Sequence, residues 1–166
     1  MNKMFNKKKE VTQIIGENFK VHIFHDDYIA SGHFGKCYQG YLPDEDRLVL
    51  VKRLDCYEED KFKDFIDSYQ RELVNLSKAS HRYKSDFHSN IVNVEKYSII
   101  KKKPYMVQAY IVMEYCLQGD LSRLINLRRD NWELFRFGEI CTIMRDLIYG
   151  YGQLFAENIL HQDLKP

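Results

Sequence analysis

Between Phe24 and Leu54, short apolar runs alternate with turn residues: Asp27-Tyr28-Ile29-Ala30, then Lys36-Cys37-Tyr38-Gln39-Gly40-Tyr41-Leu42, then Leu48-Val49-Leu50-Val51-Lys52. Short runs rich in Val, Ile, Leu and Tyr, bounded by turn chemistry such as Pro43-Asp44-Glu45-Asp46, predict strands. The chain thus opens as an antiparallel three-stranded unit. Residues 58–79 place Phe62, Phe65, Ile66, Tyr69, Leu73 and Leu76 at offsets of three and four, the stripe of an amphipathic helix that packs on that sheet. After a polar loop from Ser80 to Ser89, Ile91–Ile100 and Tyr105–Tyr115 read as two further strands, joined by a Lys-rich turn ending at Pro104. The expected sheet has five strands. Beyond Gly119 the periodicity changes: Asp120–Arg129 reads as a short helix. Glu133–Glu157 reads as a longer one, with Phe137, Ile140, Ile143, Met144, Leu147, Ile148, Tyr151 and Leu154 on its apolar side. A β-rich first part and a helical second part define an α+β chain in two lobes, preceded by a polar N-terminal extension over residues 1–23.

Composition excludes several functions. Lys plus Arg number 25 against 24 Asp plus Glu, a net charge of +1, and a dedicated nucleic-acid binder needs a cationic surplus to neutralise phosphates. Lys7–Lys9 and Lys101–Lys103 are read as solvated segments. The four cysteines, Cys37, Cys56, Cys116 and Cys141, show no CxxC spacing, so neither a zinc site nor a redox motif is expected and a reducing compartment fits. His22, His25, His33 and His81 form no metal-ligand pattern. No stretch approaches the roughly 18 apolar residues of a membrane span, and the N-terminus lacks the apolar region of a secretory signal. The expected location is cytoplasmic or nuclear.

Two constellations carry chemistry. In Ile29-Ala30-Ser31-Gly32-His33-Phe34-Gly35-Lys36-Cys37-Tyr38, two glycines stand where strands turn over. Glycine lets a backbone approach a phosphate that a Cβ would block, although by itself this pattern is more often a plain hairpin. Lys52 closes the apolar run Leu48–Val51 and faces a cleft or the core, where an ammonium requires an anionic partner. Glu72 is the candidate, three residues from Tyr69 and four from Leu76 on the predicted helix. Either residue alone also reads as a surface charge.

The order of motifs resembles the first half of a eukaryotic protein kinase, and its Ser/Thr-specific branch in particular. It runs Ala30–Cys37, Val49-Leu50-Val51-Lys52, Glu72, His88-Ser89-Asn90-Ile91-Val92, Ile111–Leu121 and His161-Gln162-Asp163-Leu164-Lys165-Pro166. The resemblance covers residue 24 onward and implies an N-lobe over 24–112, a hinge over 113–119 and a partial C-lobe over 120–166, with helices D and E and the start of the catalytic loop. It implies ATP and Mg2+ as cofactors and a protein Ser/Thr hydroxyl as acceptor. Gly32 and Gly35 would cover the ATP phosphates, and Lys52, held by Glu72, would bind them. Met113 falls at the gatekeeper position. Glu114 and Cys116 would present main-chain groups to adenine under an apolar roof of Ile29, Cys37 and Leu50, with Asp120 near the ribose. Asp163 would accept the substrate hydroxyl proton and Lys165 would contact phosphate.

The sequence also departs from the family pattern. Ala30 replaces the first loop glycine, and Leu50 replaces a small alanine, so its extra carbons crowd adenine. Gln162 replaces the arginine that relatives pair with a phosphorylated activation loop, which argues against that form of control. The gap from Glu72 to His88 implies an insertion around His81–Phe87. Pro166 falls two residues before the asparagine that binds magnesium in the family, so the metal ligands are expected beyond it. The chain therefore reads as a fragment of a longer kinase, inactive by itself, with the apolar side of 133–157 left as an exposed patch. The alternative is a pseudokinase or interaction module that keeps the N-lobe. An unrelated nucleotide-binding domain is excluded, because no GxxxxGK[ST] and no GxGxxG opening a helix is present. Met113–Leu121 and Gly150–Leu160 are similar to calcium/calmodulin-dependent, cell-cycle and autophagy-initiating kinases without deciding among them.

Overall fold

A computed structural model describes residues 11–16, 19–32, 35–81, 90–103, 106–162 and 164. The strands are β1 (Val11–Gly16), β2 (Phe19–Gly32), β3 (Gly35–Leu42), β4 (Arg47–Cys56), β5 (Val94–Lys103) and β6 (Met106–Glu114). The helices are α1 (Phe62–His81), α2 (Leu121–Asp130) and α3 (Phe137–Ala156), and a single 3-10 turn over Glu59–Lys61 leads into α1. All strands join one antiparallel sheet in the order β1-β2-β3-β4-β6-β5. The five expected strands are β2 to β6. A sixth, β1, lies at the edge, within the stretch read as a polar extension. Phe19, Val21 and Ile23 alternate with Lys20 and His22, the period-two pattern of a half-buried strand, so β2 begins well before Phe24 and pairs with β1 along Val11–Gly16. Most of the expected polar loop, including His88, lies outside the described residues.

The chain divides into two compact units, with boundaries at Val74/Asn75, Asn93/Val94 and Tyr115/Cys116. In the first unit, Val21, Ile23, Tyr38, Leu42, Val49, Val51, Tyr110 and Val112 form the core, with Phe19 and Ile100 packed against it. Val49 and Val51 are two residues apart on β4 and so share a face. Further along that face Arg53 pairs with Asp55 at 3.1 Å, and Asp55 accepts from the Gln108 amide at 2.8 Å. The Gln108 carbonyl in turn accepts from the Tyr110 hydroxyl at 2.7 Å. Gln108 is the buried polar residue among the described residues of the unit, and both ends of its amide are matched, as burial demands. Burial foremost pushes the Tyr110 phenol up to about 12, so the hydroxyl stays a donor well into the alkaline range.

Helix α1 docks through its predicted stripe, with Tyr69 and Leu73 buried. The Tyr69 hydroxyl donates to the Tyr110 carbonyl at 2.9 Å and lies 3.4 Å from the Ser98 carbonyl. Tyr69→Phe should lower stability by about 1–2 kcal/mol, because a buried donor is lost without a change of shape. Thermal unfolding should show a melting point roughly 2–8 °C lower; an unchanged melting point would show that the hydroxyl does not tie helix to sheet.

In the second unit, Asp120 caps α2, its carboxylate accepting from the Arg123 N–H at 2.8 Å. Glu139 accepts from the Arg136 N–H at 2.7 Å and from the Arg128 guanidinium at 2.7 Å. The Arg136 N–H foremost, then Arg128, holds this carboxyl below the usual carboxylate range. Gly150 is the buried residue of α3, and a Cβ there would stand 2.9 Å from the Asn90 carbonyl oxygen. The apolar side of α3 is open as expected, with Phe137 83%, Ile148 65% and Phe155 66% exposed. No helix among the described residues is long and apolar enough to cross a membrane.

Candidate functional site

Residues paired directly across an antiparallel sheet point to the same face. Ala30 is registered with Cys37, Cys37 with Lys52, and Lys52 with Ile111, which makes one row across β2, β3, β4 and β6. In the next row Leu50 is registered with Met113. Lys52 and Leu50 are two residues apart and share a face, opposite the one carrying Val49 and Val51. The alternation that buries Val49 and Val51 is thus what presents Lys52 outward from the core.

Glu72 of α1 meets Lys52 there, with Nζ 2.5 Å from Oε1 and side chains 17% and 31% exposed. The stripe of α1 fixes this encounter: once Tyr69 and Leu73 are buried, Glu72 is carried to the same side of the helix. Cys37 stands beside the pair. Burial chiefly pushes its thiol pKa up, Lys52 pulls it down and Glu72 adds to the rise, so Cys37 is a small apolar wall at neutral pH instead of a nucleophile.

Gly32 is registered with Gly35 and closes the β2–β3 hairpin; His33 and Phe34 lie outside the described residues. Gly35 has φ +116°, and a Cβ on it would lie 2.5 Å from the Arg53 carbonyl oxygen. The sequence offered phosphate approach as the reason for glycine here. The fold adds a second reason, the passage of this backbone against β4, and that long-range contact leaves no local signal.

Ile29 is exposed on β2, and Met113 and Glu114 end β6. Cys116 and Asp120 belong to the second unit, where Asp120 is engaged as the α2 cap and Gly119 takes φ +79°. Asp163 and Lys165 lie outside the described residues. The first unit therefore gathers Cys37, Leu50, Lys52, Glu72 and Met113 around one face, beside the Gly32–Gly35 hairpin end, with the Ala30 backbone registered alongside Cys37. The four cysteines are free thiols. Among the described residues no three His, Cys, Asp or Glu side chains gather to hold a metal ion.

A cation held on a sheet face by a helix carboxylate, next to a glycine hairpin, is the arrangement of a phosphate-handling lobe. Residues 25–166 match the model of the protein kinase domain. The chain belongs to the protein kinase family. It is 32% identical over 138 residues to Cyclin-dependent kinase 11.2 of Caenorhabditis elegans, an alignment covering 82% of this chain and 19% of that protein. It is 25% identical over 139 residues to MAP kinase kinase kinase wis4 of Schizosaccharomyces pombe, covering 84% of this chain and 9% of the relative. It is 26% identical over 141 residues to Misshapen-like kinase 1 of Rattus norvegicus, covering 84% and 10%. The chain thus spans less than a fifth of the length of each of these relatives.

Proposed function

We propose that this chain supplies the nucleotide-binding part of an intracellular protein serine/threonine kinase. The observation that carries the reading is the Lys52–Glu72 pair on the face beside Gly32 and Gly35. Glu72 holds the ammonium in place, and Lys52 neutralises ATP phosphate oxygens. Leu50, Cys37 and Ile29 supply an apolar surface for the base, bounded by Met113. By the family pattern, main-chain groups at Glu114 and Cys116 serve to orient adenine and Asp120 serves the ribose. Asp163 accepts the proton of a protein Ser or Thr hydroxyl as its oxygen bonds to the γ-phosphorus and the bond from that phosphorus to the β,γ-bridging oxygen breaks, releasing ADP, and Lys165 steadies the charge on the transferred group. Protein kinases use Mg2+ to neutralise the β- and γ-phosphates. The asparagine and the D-F-G aspartate that hold the metal in the family pattern are not among these 166 residues, so the chain by itself is expected to show no transfer of radiolabelled phosphate to a protein acceptor. Calorimetric titration of the protein with ATP tests the binding reading; no heat of binding at millimolar nucleotide would reject it.

A pseudokinase role is favoured by one observation, the pairing of Leu50 with Met113 across β4 and β6. Cross-strand neighbours have Cβ atoms roughly 4.5–5.5 Å apart, so two long side chains stand together on the face that would receive the base. Leu50→Ala should therefore tighten ATP binding about tenfold, by removing one to two kcal/mol of steric conflict. Equal affinities for the two proteins would show that Leu50 does not obstruct the base.

A further inference from the structure

The matched kinase domain begins at residue 25, yet the sheet begins earlier and the core depends on what lies ahead. Val21 and Ile23 are completely or almost completely buried, and Phe24 is buried with them. Phe19 packs on the same cluster and carries the Lys96 ammonium 5.9 Å above its ring. Across the strand, a Cβ on Gly40 would stand 3.1 Å from the His22 carbonyl oxygen, so this glycine lets the base of β2 seat closely on β3. On the other side, β1 is registered with β2 from Gly16↔Phe19 to Val11↔Phe24. The base of β2 is held from both sides.

The middle of β2 is different. Ile23 is registered with Gly40 and Ala30 with Cys37, so β2 takes seven steps where β3 takes three, with register shifts on both sides of Tyr28. Four surplus residues lie between the held base and the glycine-bearing tip, which is paired from Ala30↔Cys37 to Gly32↔Gly35. Extra residues in one strand break the ladder locally and bend it. A ladder interrupted in this way transmits position only if its base is fixed. Among the described residues, the pairing with β1 reaches Phe24, just short of the surplus.

We propose that β1, paired with the base of β2 (residues 19–24) ahead of the matched kinase domain, is a positioning element for the nucleotide site: it clamps the base of β2 so that the interrupted strand delivers Gly32 and Gly35 in one place. The nucleotide part of this inference rests on the reading above; the mechanical part does not. Main-chain N–H groups of successive strand residues point to opposite edges, and one edge of β1 pairs with no strand among the described residues. Of Gln13→Pro and Ile14→Pro, one therefore removes a ladder donor to β2 and the other removes an N–H at the open edge, where proline is tolerated.

Hydrogen–deuterium exchange and ADP titration on the full-length protein and both variants decide the matter. One variant, not the other, should speed exchange in 19–24 and also in 28–32 and 35–38, with β4 and β6 protection unchanged. It should weaken ADP about tenfold, as the competent population falls to about a tenth. Faster exchange confined to 19–24 with unchanged ADP affinity would overturn the clamp, as would no change in 19–24 with either variant. If the ladder-breaking variant does not fold, native-state exchange of the unsubstituted protein in low denaturant replaces it. Base and tip must then open together, below the opening free energy of β4 and β6, and separate openings overturn the proposal. If the unsubstituted protein binds no ADP, the nucleotide reading fails while exchange still judges the clamp.

Discussion

Replacing Lys52 with methionine should lower phosphoryl transfer by the complete protein about 10²–10³-fold, the usual effect of removing one fixed donor from a developing anion. The fold should stand. Methionine keeps the length and apolar stem of lysine, and the partner left behind, Glu72, retains access to water at 31% exposure. The pair also makes a claim about coupling. If Glu72 acts only by holding the Lys52 ammonium, Glu72→Gln lowers transfer in the parent protein and has no further effect in the Lys52→Met background. Steady-state kinetics of the four proteins in this cycle test both points. Parent-level transfer by Lys52→Met would remove Lys52 from the machinery, and additive losses would give Glu72 a role of its own.

Gly35→Ala should be more disruptive than Gly40→Ala, the other first-unit glycine whose added Cβ contacts are described. It adds a Cβ 2.5 Å from the Arg53 carbonyl oxygen at a backbone φ of +116°. Strain at such a φ and overpacking each contribute about 1–3 kcal/mol, and the acceptor atom is main chain that cannot rotate away. A total loss of about 3 kcal/mol corresponds to a melting point roughly 6–12 °C lower. Ala at Gly138, where nothing lies within 4 Å of the added Cβ, is the control and should leave the melting point unchanged or slightly raised by better helix propensity. Equal melting points for Gly35→Ala and the parent would show that glycine is required here for a ligand alone.

Much of this was legible in the chain. Strands β3 and β4 declare themselves because each alternates over one buried face, and α1 because its stripe repeats at three and four. The Lys52–Glu72 encounter follows from those same two patterns, since an apolar run ending in lysine and a stripe flanked by glutamate must put opposite charges on facing surfaces. Ends were less legible. The helix expected from residue 58 starts at Phe62 after the 3-10 turn Glu59–Lys61, and the strand expected from Ile91 starts at Val94. The beginning of β2 was masked by its setting: Phe19, Val21 and Ile23 alternate correctly, but they follow a basic, polar run and include two positively charged or ring-nitrogen neighbours in Lys20 and His22. The Gln108–Asp55 bond and the Gly35–Arg53 approach depend on the register of strands distant in sequence. No local pattern encodes either.

The way α1 is fastened has a consequence for how this protein can change over generations. Tyr69 directs its hydroxyl to main-chain oxygens of residues 110 and 98, groups that every substitution preserves. Substitution at residue 98 or 110 therefore leaves these acceptors in place, whereas the helix side depends on one hydroxyl that only tyrosine places at that reach. Inherited variation at this joint should be tolerated at Ser98, which contributes only its carbonyl, and be purged at position 69.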